Sequence, residues 1–237
     1  MRTTSAFGQV GEAIQDEGRI VIVQGGTSAG KTYAVLQYLI LAAHKNSLEG
    51  LISIVSESLP HLRRGAMRDF FTILTSNDMY RERQHNKSSH TYNIKKATFE
   101  FFSADQGDKL RGARRDYLFI NEANNIGYEA WSELFIRTRK WSILDFNPVA
   151  EFWAHTEILG HPDEDFRDKV RFVKLNYTHN EALDQVTIDN IESRKHDPDW
   201  WQVYGLGEVG TPTGVIFPPS VWSVGNLPEN ARYICSG

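Results

Sequence analysis

Gln24-Gly25-Gly26-Thr27-Ser28-Ala29-Gly30-Lys31-Thr32 is the stretch on which the fold turns. It follows the apolar run Ile20-Val21-Ile22-Val23 and leads into Tyr33-Ala34-Val35-Leu36-Gln37-Tyr38-Leu39-Ile40, a segment of helical period. Strand, glycine loop and helix, in that order, are the context that the phosphate-binding pattern G-x-x-x-x-G-K-S/T requires. Gly25 and Gly30 are read as admitting positive φ and close backbone approach to phosphate. The N–H groups of this loop and the start of the next helix make an anion site. Lys31 is then placed to reach the β- and γ-phosphates, and the Thr32 hydroxyl to ligate Mg²⁺. The reading is a nucleoside triphosphate site, with Gln24 to Thr32 as its binding residues.

Working outward, 237 residues suit one large α/β domain, or one domain with a small appendage. The chain is 41% hydrophobic with six Trp, enough to fill such a core. No run approaches the ~18 apolar residues of a membrane span, and Met1 to Phe7 carries no apolar signal region. Cys235 is the single cysteine, which excludes an internal disulfide and points to a reducing compartment. With a formal net charge of −4, any nucleic-acid contact must use a local basic patch. Arg81, Arg83, Lys87, Lys95 and Lys96 compete for that role with the region around Arg114.

Strands are read at Ile20–Val23, Leu51–Val55, Tyr117–Ile120, Trp141–Leu144 and Val170–Leu175, with a β-hairpin or two short strands through Tyr92, Ile94, Phe99 and Phe101. Helical patterns run from Lys31 to Ala43, through Met67, Phe70, Phe71 and Leu74, from Glu129 to Lys140, from Glu151 to Leu159 and from Asp184 to His196. Asp197-Pro198 is a cap followed by proline at the first helical position of a short helix ending near Gly205. Residues 1–19 are expected to be peripheral, with a short helix near Gly11–Ile14. Ser56 to Gly65 is expected to be a loop, and His161 to Asp165 an acidic turn. Arg63, Arg64 and Arg68 read as a solvated face. Strands alternating with helices indicate a mostly parallel sheet with helices on both faces. The domain is taken as residues 1–210, and 211–237 as an extended linker.

Hydrolysis needs more than a phosphate loop. Metal-site acid and general base usually end a second apolar strand, as four hydrophobic residues followed by Asp-Glu. Tyr117-Leu118-Phe119-Ile120-Asn121-Glu122 matches, with Asn in place of Asp. Glu122 is the residue to orient and deprotonate the attacking water. Asn121 keeps an acceptor oxygen for a Mg²⁺-bound water but lacks the charge. The phosphate loop contains no arginine, so a cation for the developing charge must come from elsewhere. Arg111 is best placed, on a glycine-bearing basic loop before the Glu122 strand, with Arg114 and Arg115 as rivals. Asp145 and Asn147 end the next strand, where parallel sheets present ligands, and are placed to sense the γ-phosphate and couple its loss to the following segment. A plain turn at Asn147-Pro148 is the alternative. The reading requires the glycine turn ending at Thr32 and the apolar strand ending at Glu122 to lie side by side in the sheet.

Taken together, these motifs resemble the ATPase domain of the large terminase subunit, the DNA-packaging motor of tailed bacteriophages. The ordered set is more specific than the phosphate loop: Leu110-Arg111-Gly112, Tyr117 to Ala123, Asp145-Phe146-Asn147-Pro148, Leu206-Gly207-Glu208 and Gly214-Val215-Ile216-Phe217-Pro218. The resemblance covers nearly the whole chain. It implies a P-loop NTPase of RecA/ASCE-like fold, with ATP and Mg²⁺ as cofactors, that drives double-stranded viral DNA into a capsid. It implies as partners a ring of copies of the chain, usually five, the portal protein and a small terminase subunit, in the host cytoplasm and not at a membrane. Lys31 and Thr32 would bind ATP and Mg²⁺, Glu122 would be catalytic, Asp145 to Asn147 would couple, and Arg111 matches an arginine that some members insert into a neighbour's site. Members also carry a C-terminal nuclease, and Arg232 to Gly237 looks like the start of its first strand, cut before the metal-binding aspartate. DNA cleavage is therefore not expected of this chain. Other readings are a different P-loop enzyme, such as a helicase-like translocase or a nucleotide kinase, and a non-catalytic nucleotide-binding assembly module.

Overall fold

The computed structural model describes residues 1–16, 18–106, 112 and 114–210. The expected linker at 211–237 and Arg111 lie outside the described residues. Among the described residues eight strands form one sheet: β1 (Ile20–Gly25), β2 (Gly50–Ser56), β3 (His85–Asn86), β4 (Thr91–Ile94), β5 (Ala97–Ser103), β6 (Arg115–Asn121), β7 (Thr138–Phe146) and β8 (Val170–Leu175). Their order is β3-β4-β5-β2-β6-β7-β1-β8. From β5 to β8 every neighbouring pair is parallel, while β3 and β4 add antiparallel at one end. The expected sheet, mostly parallel, is the one observed.

The central strands are apolar on both faces because both faces are covered. Val21 and Val23 of β1, Ile52 and Ile54 of β2 and Phe119 of β6 point into one core. There they meet helices α1 (Ser5–Gln15), α2 (Lys31–His44), α3 (Leu59–Arg64) and α4 (Ala66–Ser76). Ile20, Ile22, Val55, Leu118, Ile120 and Leu144 point to the opposite core, under α5 (Tyr128–Ile136) and the π-helical segment Ala154–Leu159. Helices thus cover both faces, as expected.

The departures from expectation have physical causes. Residues 1–19 are not merely peripheral: α1 buries Ala6, Val10 and Ile14 against α2. Ser56 to Gly65 is not all loop, because Pro60 sits in the first turn of α3, where its missing N–H costs nothing. The helical pattern from Glu129 stops at Ile136, and Thr138 to Lys140 instead begin β7. There the Arg19 guanidinium donates to the carbonyls of Thr138, Arg139 and Lys140, a tertiary bond that outweighs local propensity. The acidic turn winds into one helical turn, Glu164–Arg167, capped by Asp163. Asp197 does cap the next helix, accepting from the Trp200 N–H. Finally, β1 and β6 are not side by side: β7 lies between them.

Candidate nucleotide site

At the carboxyl end of β1 the chain turns through the glycine loop into α2. Gly30 is left-handed, with φ 77°, the conformation its lack of a side chain favours. Gly25 is not in that region, and the reason for glycine there is different. A Cβ on Gly25 would lie 2.4 Å from the Leu175 carbonyl oxygen, and one on Gly26 would lie 2.3 Å from that of Tyr204. The loop is clasped from behind: the Gly26 N–H donates to Leu175 O at 3.0 Å and the Thr27 N–H to Tyr204 O at 2.8 Å. The Gln24 amide donates to Gly207 O at 2.8 Å, while its oxygen lies 3.0 Å from His155 Nε2.

Lys31 folds back under this loop and is only 8% exposed. Its ammonium donates to Gly25 O at 3.0 Å, Gly26 O at 2.8 Å and Asn147 Oδ1 at 3.2 Å. Burial lowers its pKa to about 8, against the fields of Asp145 and Glu122, which hold it up. Asn147 therefore touches the lysine that is expected to contact the phosphates.

A second network joins α2 to β6 and β7. Asn121 and Asp145 are register partners in the parallel β6–β7 pair. The Thr32 hydroxyl donates to Asp145 Oδ2. Asn121 Nδ2 donates to Asp145 Oδ1 at 3.0 Å and lies 3.2 Å from Thr32 Oγ1. The Glu122 N–H adds a bond to Asp145 Oδ1 at 2.8 Å. Asp145 is 1% exposed. Burial pushes its carboxyl above the ordinary range, opposed by the Thr32 and Glu122 bonds, the Lys31 charge and Asn121.

Glu122 follows in a left-handed conformation, φ 56° and ψ 57°. Such strain in a residue with a Cβ costs about 1 kcal/mol or more and is sustained only where surroundings enforce it; here the N–H bond to Asp145 does so. The Glu122 carboxylate meets His61 Nε2 at 3.0 Å and Asn125 Nδ2 at 3.2 Å. It lines an open cleft of ≈ 460 Å³ with Thr32, Asn121, His61, Arg64 and Arg68. A second cleft, ≈ 430 Å³, is lined by Gly30, Tyr33, Gln37, Arg2 and Asn180. The Asn180 amide donates to Ser28 O at 2.8 Å there.

The family model for the phage terminase large subunit matches residues 17–208, which hold this whole network. The chain belongs to that family. Among solved structures, the large terminase of a thermophilic bacteriophage in complex with ADP superposes with TM-score 0.71 at 18% identity, over 87% of this chain and 53% of that one. The same phage protein in complex with ATP-γ-S gives TM-score 0.70 at 18% identity, over 87% and 52%. The HK97 bacteriophage large terminase gives TM-score 0.69 at 12% identity, over 88% and 51%. This terminase chain thus spans about half the length of those relatives and shares their fold. No curated protein sequence matches it.

Within this terminase fold the predicted residues Lys31, Thr32, Asn121, Glu122, Asp145 and Asn147 converge at the carboxyl ends of β1, β6 and β7. The basic residues fare differently. Arg115 is 1% exposed, donates to Leu134 O at 3.0 Å and sits 5.8 Å from the Phe102 ring centroid. It is a core residue and drops out as a rival to Arg111; Arg114 is exposed. Lys87 pairs with Glu82 at 2.7 Å and Lys96 with Glu49 at 2.9 Å, on the hairpin side of the sheet. Arg64 and Arg68 are exposed, as the solvated-face reading expects, and they also line the open Glu122 cleft. His61 and Arg64 lie three residues apart on α3, while Arg68 belongs to α4, beyond the break at Gly65.

Proposed function

We propose that this chain is the ATP-hydrolysing motor of a terminase, driving double-stranded viral DNA into a capsid with Mg²⁺ as cofactor. The observation that carries the reading is the convergence of Lys31, Thr32 and Glu122 on one end of the sheet, where α/β folds bind ligands. A Mg²⁺ ion suits the residues present: a buried carboxylate, Asp145, and the Thr32 hydroxyl supply hard oxygen donors, and Mg²⁺ takes few protein ligands beside substrate phosphates. When bound, the ion neutralises charge on the phosphate oxygens. Glycine-loop N–H groups and the α2 N-terminus bind the phosphates. Lys31 leaves the Gly25 and Gly26 carbonyls for the β- and γ-phosphates, and Asn147, bonded to Lys31, registers that departure. Glu122 orients a water and takes its proton. The nucleoside portion has room in the cleft beside Tyr33.

The proposed setting is a ring of copies, five on a capsid, with the portal protein and a small terminase subunit, in the host cytoplasm. Arg111 is proposed to reach a neighbour's site. Among the described residues no helix is long and apolar enough to cross a membrane. The deciding experiment is ATP turnover with and without double-stranded DNA, with Glu122→Ala as control. DNA-stimulated turnover that Glu122→Ala lowers by about 10²-fold or more, roughly the worth of a positioned base, is the expected result. Turnover indifferent to Glu122 would sink the assignment.

A further inference from the structure

Position 121 holds an amide where a P-loop ATPase is expected to hold an acid. Its orientation is decided by its neighbours. Asp145, when ionised, offers only acceptors, so the group facing it at 3.0 Å must be the Asn121 NH₂. The same NH₂ faces Thr32 Oγ1 at 3.2 Å. The amide oxygen is turned away, accepting from Ser56 Oγ at 3.2 Å. Asn121 therefore presents hydrogens, not an oxygen, toward the residue expected at the cation.

A carboxylate is nevertheless in place, one strand closer to the phosphate loop. β7 runs between β6 and β1, and Asp145 pairs in register with Asn121. Its Oδ2 accepts from the Thr32 hydroxyl and its Oδ1 from Asn121 and the Glu122 N–H. Among the described residues no Lys, Arg or His side chain is within ion-pair distance of it, although it is buried. Its hydrogen-bond donors are all neutral and the Lys31 charge acts on it only from beyond ion-pair distance, so a cation beside Thr32 would offset the cost of its burial.

We propose that Asp145, not the residue at position 121, supplies the carboxylate for the nucleotide-bound divalent cation together with Thr32. The acid and the amide have exchanged strands: the usual Asp of the β6 end is carried on β7, and Asn121 orients it. This rests on the ATPase reading and adds to it the identity of the metal-site acid. Because β6 and β7 are parallel and in register, the two positions present side chains to the same space, and either can hold the charge. The sequence pattern of four hydrophobic residues then Asp-Glu fails here for that reason, without loss of the site.

The test is binding, not turnover. Mn²⁺ affinity of the 237-residue chain is read from the free-Mn²⁺ electron paramagnetic resonance signal at saturating ADP, beside ADP binding in EDTA. Asp145→Asn is expected to weaken Mn²⁺ by about 10–100-fold, the scale of lost metal-site partners, while ADP binding in EDTA shows that the variant's phosphate site is still formed. The exchange variant Asn121→Asp/Asp145→Asn returns the charge to β6 and is expected to recover Mn²⁺ affinity to within a few-fold of the parent. The double variant keeps one acid and one amide in the buried pair, so it reports even if Asp145→Asn alone does not fold. Parent-like Mn²⁺ affinity in Asp145→Asn overturns the proposal. So does an exchange variant that folds and binds ADP but has lost Mn²⁺, since Asp145 would then act through its own hydrogen bonds and not its charge. A parent chain that binds no ADP at all overturns the ATPase reading and this inference with it.

Discussion

The imidazole of His61 lies 3.0 Å, Nε2 to Oε2, from the carboxylate of Glu122. One belongs to α3, in a segment whose sequence reads as loop; the other ends the strand β6. Side-chain exposures of 34% and 45% leave the pair half in solvent, so its strength is about 1 kcal/mol or less. The contact occupies the carboxylate that the proposed chemistry needs free. His61→Ala is predicted to raise DNA-independent ATP turnover by up to about five-fold, the equivalent of that energy. Steady-state rates without DNA check it. A fall of about ten-fold, the loss of a positioned group, would make His61 a participant in the chemistry and not a brake.

Lys31 carries a prediction in proton stoichiometry. Burial lowers its pKa to about 8 in the empty protein, and a triphosphate restores negative charge beside it and raises the pKa again. Above about 8 the empty site is increasingly neutral and the filled one charged, so binding takes up a proton there and not near pH ~6.5. Calorimetry of ATP-γ-S binding in buffers of different ionisation enthalpy should show this uptake at about pH 9, absent in Lys31→Met. Proton release would contradict the sign. The same shift makes Lys31 a destabilising burial in the empty protein below pH about 8, relieved as pH rises toward the ordinary lysine value. Lys31→Ala should lower turnover by about 10²–10³-fold or more, the scale of a lost charge-stabilising donor.

Gly26→Ala tests the clasp behind the phosphate loop. Its Cβ would meet the Tyr204 carbonyl at 2.3 Å, and that atom is backbone. Overpacking of this kind costs about 1–3 kcal/mol, or roughly 2–4 °C in Tm per kcal/mol for a domain of this size. Nucleotide affinity should fall with it, because the loop is displaced. Gly8→Ala is the contrast: nothing lies within 4 Å of its Cβ, and a helical glycine replaced by alanine should gain about 0.5–1 kcal/mol. Equal melting curves for both variants would remove the clasp.

If Arg111 serves a neighbouring subunit, Arg111→Ala and Glu122→Ala should each be inactive alone and partly active together. In an equal mixture about a quarter of the head-to-tail interfaces pair an intact arginine with an intact glutamate. ATPase of co-assembled mixtures measures this, and purely additive inactivity would argue against a role in trans. Arg115→Ala should behave otherwise, losing thermal stability before it loses turnover specifically, because that guanidinium is buried against Leu134 O.

The phosphate loop, Glu122 and the alternation of strands and helices are legible in the sequence because each is a local signal: a fixed spacing, or an apolar run ending in a polar residue. The clasp on Gly25 and Gly26 is not, since it depends on carbonyls about 150 and 180 residues along the chain, at Leu175 and Tyr204. Nor is the burial of Arg115, which reads as one more charge in a basic loop until β6 is paired with β7. His61 reads as a loop residue for as long as Pro60 reads as a breaker and not as part of the first turn of a helix.

By itself the sequence determined that a glycine loop would join the first strand to a helix, and that an apolar strand would deliver Glu122 to the same end of a parallel sheet. Only the tertiary structure decided which carboxylate meets Thr32. That choice depends on strand order, with β7 set between β6 and β1, and order in a parallel sheet is made by long crossovers whose direction no local pattern of residues encodes.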